Sequence, residues 1–318
     1  MKKKQIICIG TVAMDVLQEV ETLPEPDGFA VIGNISYLPG GSASNVMAQA
    51  SKLGARCAFV AKVGDDSVGR QILESMEQEN IETKECRIKA GGTSLHTTIV
   101  VDSQGSKFIL LNMGDAFLDL KVDELDEAYI TDTEIYYTDL LPGEAAIHGL
   151  KAAKAAGMKI AVNLQIGLPM MKQLGVTREQ ILEILPMIDL FAPCREAAEQ
   201  LFSSSDPASC VAALRSYCKG TILLTMGSDG AYVDAGPEVK AVHFPVEDVV
   251  VKDTTGAGDS FLGAFIYAHM IRKFDIEKSM SIATHCASIT CSVLGARSGP
   301  DSVELEQWLS SQLTEEEH

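Results

Sequence analysis

The chain has 318 residues, 46% of them apolar, which is enough for one large α/β domain with an elaboration or for two domains around sizeable cores. Its 44 acidic residues outweigh 26 basic ones for a net charge of −18, which argues against nucleic acid or an anionic membrane as partner but leaves a small anionic substrate open. Eight scattered cysteines with no C-x-x-C pair suit reduced thiols in a cytoplasmic enzyme better than a zinc site or a disulfide frame, and no segment has the apolar length of a membrane span.

Residues 6–9 (Ile-Ile-Cys-Ile) read as a buried first strand closed by Gly10, and the apolar run is too short for a secretory leader. Asp15 follows, by itself a turn or capping residue. A Pro- and Gly-rich turn at 23–28 leads to a partly exposed strand over 30–38. Pro39-Gly40-Gly41-Ser42-Ala43-Ser44-Asn45 then opens a helix that runs to Leu53, with Gly54 as its stop. Residues 57–63 read as a second buried strand and Gly64-Asp65-Asp66 as the cap of a helix reaching residue 79. Residues 93–101 and 106–112 alternate around the polar turn Asp102-Ser103-Gln104-Gly105, a hairpin that would join residues 16–38 in a small separate sheet.

From residue 133 the pattern becomes strand, helix, strand, helix: 134–138, 143–156, 158–164, 178–185 and 188–192. Such alternation predicts a parallel sheet covered by helices, with ligands at the strand C-terminal ends, where Asp139, Asn163 and Gln165 stand as candidates. Residues 221–226, Gly227-Ser228-Asp229-Gly230 and 231–234 read as a hairpin, and 240–244 and 249–251 as further extended segments. The last of these delivers the chain to Asp253-Thr254-Thr255-Gly256-Ala257-Gly258-Asp259-Ser260-Phe261, where glycine-rich backbone meets a helix N-terminus. Nearly bare amides and the positive end of the helix dipole suit an anion there, although Asp259 read alone could equally be a cap. Two small-residue helices over 259–272 and 276–294, an amphipathic helix over 303–313 and an acidic tail at 314–318 expected to fray complete the chain.

The phrase from Asp253 to Phe261, with the Gly40-Gly41 and Asn45 phrase upstream, resembles the two signatures of the ribokinase-like (PfkB) family of carbohydrate and nucleoside kinases. The resemblance spans essentially the whole chain. It implies a three-layer α/β sandwich with a mainly parallel central sheet and a small β lid. The large domain would take residues 1–15, 39–92 and 114–313, and the lid 16–38 and 93–113.

By the same resemblance, Asp259 is the general base of an ATP-dependent kinase acting on a hydroxymethyl group of a sugar or polyol, and Gly256, Ala257 and Gly258 form an anion hole for the phosphoryl group. Asp15, Gly40, Gly41 and Asn45 hold the acceptor, and Thr225, Gly227 and Gly230 belong to the nucleotide site, with His285 either packing or facing the adenine. The family's Mg²⁺-positioning Asn-x-x-Glu falls at Cys194 and Ala197, so Glu196 is the neighbouring carboxylate that could take its place; Asp253 and Thr255 are candidates for a K⁺ site. Ala13 also stands where the family usually has Asn. The resemblance further implies a homodimer through the lid. A nucleoside kinase of the same fold and a non-catalytic sugar- or nucleotide-binding regulator are the alternatives.

Overall fold

A computed structural model gives the fold and describes residues 4–236 and 241–315. The first half of the chain supplies β1 (Ile6–Ile9), β2 (Ala13–Val20), β3 (Ile32–Gly40), α1 (Ser42–Lys52), β4 (Cys57–Val60), β5 (Lys62–Gly64), α2 (Ser67–Gln78), β6 (Ile81–Glu82), β7 (Arg87–Lys89), β8 (His96–Val101), β9 (Lys107–Asn112) and α3 (Glu127–Thr131). The βα alternation follows: β10 (Ile135–Thr138), α4 (Gly143–Ala155), β11 (Lys159–Leu164), α5 (Leu168–Gln173), α6 (Arg178–Ile184), β12 (Leu190–Pro193), α7 (Arg195–Phe202), α8 (Pro207–Arg215), β13 (Thr221–Thr225), β14 (Ala231–Asp234) and β15 (Val242–Phe244). The chain closes with α9 (Ala257–Phe265), which widens into π-helical turns over Ile266–Ile271, then α10 (Ile276–Ser292) and α11 (Ser302–Glu315).

Among the described residues the main sheet has nine strands in the order β15-β14-β13-β12-β11-β10-β1-β4-β6. It is parallel from β13 to β6, with antiparallel pairs only at the β13-β14-β15 edge. Its central strands are apolar on both faces because helices cover both. Ile6 and Cys8 enter one core with residues of α1, α9 and α10, while Ile7 and Ile9 enter the other with residues of α4, α6 and α8. These are the three layers expected from the alternation.

A second, four-stranded sheet of order β3-β2-β8-β9 stands at one end. It is the small separate sheet expected from the hairpin, which pairs Val101 with Lys107 beside the Asp102–Gly105 turn. Its strands reach further toward the body than expected: β2 already includes Ala13 and Asp15, and β3 runs on through Pro39 to Gly40. Asp15 therefore lies on a lid strand and not in a turn. Cross-strand register puts Leu17, Ile99 and Ile109 in a row on the face that carries Asp15, and Tyr37, Val16, Thr98 and Leu110 in a row on the other.

Other boundaries also move. Residues 57–63 split between two sheets, β4 in the main one and β5 paired with β7. Residues 249–251 pair with no strand among the described residues; Val249 to Val251 form an exposed connection, and Val249 and Val251 instead line a cavity. Their β-branched apolar character serves a cavity wall, which reads in sequence like a strand. The final helix continues through Glu315, and residues 316–318 of the expected tail, like Lys240 of the expected 240–244 strand, lie outside the described residues.

Candidate active site

Two glycine-led helix starts build the centre of the site. Gly41, at φ 86°, is the residue before α1, and a Cβ there would stand 2.7 Å from the Ala13 nitrogen and 2.8 Å from the Thr11 carbonyl oxygen. Only glycine lets β3 turn into α1 so close to β2. Gly256, at φ 77°, plays the same part for α9, and its missing Cβ would meet the Ala296 carbonyl oxygen at 2.4 Å. α9 thus starts two residues earlier than expected, so that Asp259 lies inside its first turn.

The two helix starts face one another through side chains. Ser42 donates its hydroxyl to Asp259 Oδ1, and Asn45 Nδ2 donates to Oδ2 at 3.0 Å. Asn163, at the end of β11, donates to Ser42 Oγ at 3.4 Å. Removal from water pushes the Asp259 carboxyl up to about 6, against the pull of Ser42, Asn45 and the nearby Arg297 cation. The nearly fully buried Asp139 is also pushed up to about 6, chiefly by burial, although its oxygens accept from the Thr11 and Leu141 amides. It ties the β1 and β10 ends together and lines neither cavity described below.

Asp259 lies on the wall of a cavity of about 280 Å³ with Gly256, Gly258, Asn163, Gln165, Cys194 and Thr225. Thr225 and Gly258 are shared with a larger, mostly apolar cavity of about 520 Å³. Gly227 and Gly230 line that second cavity, as do Val246, Phe261 and Ala287. Its size and apolar walls suit a flat heteroaromatic ring, and the smaller, polar cavity suits a charged group beside Asp259.

Several expected residues meet here. Asp259, Gly256 and Gly258 line the smaller cavity, while Ala257 lines the larger and its amide donates to the Thr254 carbonyl at 3.2 Å. Asp15 accepts from Thr97 Oγ1, and its Oδ2 would stand 3.0 Å from a Cβ on Gly40. Gly40 accepts at its carbonyl from Ser44 Oγ at 2.6 Å; Asp15, Gly40, Gly41 and Asn45 themselves line neither cavity.

Others stand elsewhere. His285 stacks on Trp308 with ring centroids 4.1 Å apart and places Nδ1 3.4 Å from Glu247 Oε2; it lines neither cavity, and Thr284 beside it lines the larger one. Glu196 is exposed, accepts from Gln200 Nε2 at 3.0 Å and packs over Gly167, away from both cavities. Successive residues of a helix point about 100° apart, so adjacency to the buried Ala197 does not carry the exposed Glu196 into the cleft. Asp253 accepts from the amide and hydroxyl of Thr255 and, on its other oxygen, from the Gly295 amide at 3.1 Å. Among the described residues no three His, Cys, Asp or Glu side chains are grouped to hold a metal ion.

Neither Ser42 nor Arg297 was among the site residues read from the sequence. Ser42 sits inside a phrase whose glycines and asparagine drew the attention. Arg297 had one local signal: it is a lone cation in the small-residue stretch Gly295-Ala296-Arg297-Ser298-Gly299, after a helix with no basic residue in its last turn.

The profile of the pfkB family of carbohydrate kinases matches residues 3–302. The chain belongs to that family. It is therefore a carbohydrate kinase, with the ribokinase-like fold anticipated from its two signatures. An ATP-dependent ribose-1-phosphate kinase of Halopiger xanaduensis is 31% identical, covering 97% of this chain and 99% of its own. Mouse ribokinase is 27% identical over 92% of this chain and 90% of its own. The solved structure of Arabidopsis thaliana ribokinase complexed with ribose and ATP superimposes with a TM-score of 0.80 at 22% identity, covering 97% and 99% of the two chains. That likeness concerns the fold.

Proposed function

We propose that this carbohydrate kinase moves the γ-phosphoryl group of ATP to a hydroxymethyl group of a sugar or related polyol, with Asp259 as general base. The observation that carries the reading is the position of Asp259, in the first turn of α9, on the wall of the smaller cavity, which shares Thr225 and Gly258 with the larger one. A nucleoside base and ribose fill the larger cavity, with the turn from Thr225 through Gly227 to Gly230 along its wall, and the phosphate chain runs toward Asp259.

The acceptor hydroxyl gives its proton to Asp259 as its oxygen attacks the γ-phosphorus, and the bond from that phosphorus to the bridging oxygen of ADP breaks. The amides at Gly256, Ala257 and Gly258 and the positive end of α9 stabilise the transferring group, Gly256 and Gly258 most, because Ala257 already donates to Thr254. Asp15 and Gly40, on the small sheet, and Gly41 and Asn45, at the start of α1, form the acceptor side.

Mg²⁺ fits this site as a companion of the nucleotide. It keeps several waters and few protein ligands, and the neutral amides of Asn163 and Gln165 are available to those waters. Bound there, it would neutralise charge on the phosphates. The Asp253 carboxylate is taken up by its own turn, with one oxygen engaged by Thr255 and the other by Gly295, and is not offered to a monovalent cation. A second copy of the chain is proposed to cover the lid sheet, whose Ile109, Leu110 and Leu111 are each more than half exposed.

Replacing Asp259 with Asn tests the base: turnover should fall by about 10²–10⁴ while ATP affinity, read by calorimetry, changes less than about twofold. Preserved turnover would overturn the reading. A panel of ribose, fructose, ribose 1-phosphate and adenosine, scored by ADP release, identifies the acceptor; adenosine as the best acceptor would replace the sugar by a nucleoside.

A further inference from the structure

Arg297 sits on the connection between α10 and α11, and its guanidinium enters the space behind the first turn of α1. Nε donates to Asn45 Oδ1 at 3.0 Å and one terminal nitrogen, Nη2, donates to Ser44 Oγ at 3.0 Å. The other, Nη1, is buried without a partner among the described residues. Burial draws the guanidinium down to about 10, which leaves it a cation at neutral pH. The Ser44 hydroxyl directs its hydrogen to the Gly40 and Gly41 carbonyls at 2.6 and 2.9 Å, so its oxygen is free to accept. Lys52 Nζ holds the Arg297 carbonyl at 2.5 Å, and Gln49 Nε2 holds the Pro300 carbonyl at 3.0 Å. The connection is thereby fastened to α1 at the arginine itself and at Pro300 beyond it.

An asparagine amide can present either its oxygen or its nitrogen to a given neighbour, and the two ends have nearly the same shape. A guanidinium can only donate. With Nε at Oδ1, the Asn45 nitrogen is committed to the other side, where Asp259 Oδ2 accepts at 3.0 Å. The reversed amide would set an oxygen against a carboxylate oxygen and donors against donors.

We propose that Arg297 is a positioning residue for phosphoryl transfer: it fixes the Asn45 amide so that its nitrogen holds the Asp259 carboxylate against α1 and aims the free lone pairs at the acceptor. The proposal rests on Asp259 being the base.

The test is a double-mutant cycle with Arg297→Met and Asn45→Ala, assayed with ATP and the best acceptor of the panel above. Arg297→Met alone should lower kcat about 10- to 100-fold, the range expected for a lost charged hydrogen bond, while KM for ATP moves less than about twofold. On the Asn45→Ala background the same change should cost less than about twofold, because the intermediary is already gone. Arg297→Lys, which keeps the charge without the planar fork, should fall between wild type and Met and guards against a Met variant that fails to fold. An equal penalty with and without Asn45 would overturn the proposal, as would joint loss of ATP binding and melting temperature in both Arg297 variants. Turnover that survives Asp259→Asn overturns the base and this inference together. Turnover lost in Asp259→Asn but kept in Arg297→Met overturns the inference alone.

Discussion

Asn45 Nδ2 donates to Asp259 Oδ2 at 3.0 Å across 214 positions of sequence, and Ser42 takes the other carboxylate oxygen, so both oxygens of the proposed base are held from a single turn of α1. Burial is the largest influence on this carboxyl and leaves it near 6. A base works only when deprotonated, so log kcat/KM should rise with unit slope as pH climbs toward about 6 and level off above about 7. Asn45→Ala removes an interaction that favours the charged form, so its break should move to higher pH. A pH–rate profile of both proteins checks this; a wild-type break near 4 would count against it.

The same two helices are packed by a missing side chain. A Cβ on Gly263 of α9 would stand 2.4 Å from the Val46 carbonyl oxygen and 2.9 Å from the Gln49 Cβ on α1. Backbone of α1 cannot yield cheaply there. Gly263→Ala should therefore cost about 1–3 kcal/mol of stability and pull Asp259 away from Ser42 and Asn45. Thermal denaturation should show the first effect, and a fall in kcat larger than any change in KM for ATP should show the second.

Much of this architecture was legible because it rests on period and punctuation. The strands at Ile6–Ile9 and Ile135–Thr138 are short apolar runs bounded by glycine or polar residues, and the glycines at 41 and 256 mark helix starts that no other residue could make. What was hidden has a common cause. Val249 and Val251 look like strand because a cavity wall and a sheet face ask for the same side chains. Ser42 and Arg297 act across long sequence separations, and nothing local tells a serine that it will meet a carboxylate 217 positions away. His285 and Thr284 differ by a single step around α10, about 100° of rotation, which separates the Trp308 face from the cavity.

On the small sheet, Ile109 is 53% exposed and aligns with Ile99 and Leu17 on the Asp15 face, while Leu110 is 59% exposed on the opposite face. Exposed apolar rows of this kind ask for a cover. Ile109→Glu and Leu110→Glu, made separately, should show which row meets a second copy: the disruptive change shifts sedimentation from dimer to monomer, and the other leaves it unaltered. A wild-type protein that sediments as a monomer at high concentration would remove the proposed dimer.

Cys194 and Ala197 stand where the resembled family carries a metal-positioning pair, and the structure treats the two positions differently. Cys194 is the cap residue of α7, makes no side-chain bond to the helix start, and lines the smaller cavity. Asparagine is among the best residues at such a cap, so Cys194→Asn should gain about 1 kcal/mol and raise the melting temperature. It also adds an amide to the cavity wall facing the phosphates, so the Mg²⁺ concentration for half-maximal turnover at fixed ATP should fall. Ala197 is fully buried in the core beside α4, α6 and α8. Ala197→Glu would confine a carboxylate among apolar side chains with no partner and should cost more than about 3 kcal/mol, or unfold the protein, without improving the Mg²⁺ response. Metal titrations and melting curves of the two single variants therefore diverge: one position accepts the family's polar residue, and at the other the α7 packing has closed over the place where a carboxylate would have to stand.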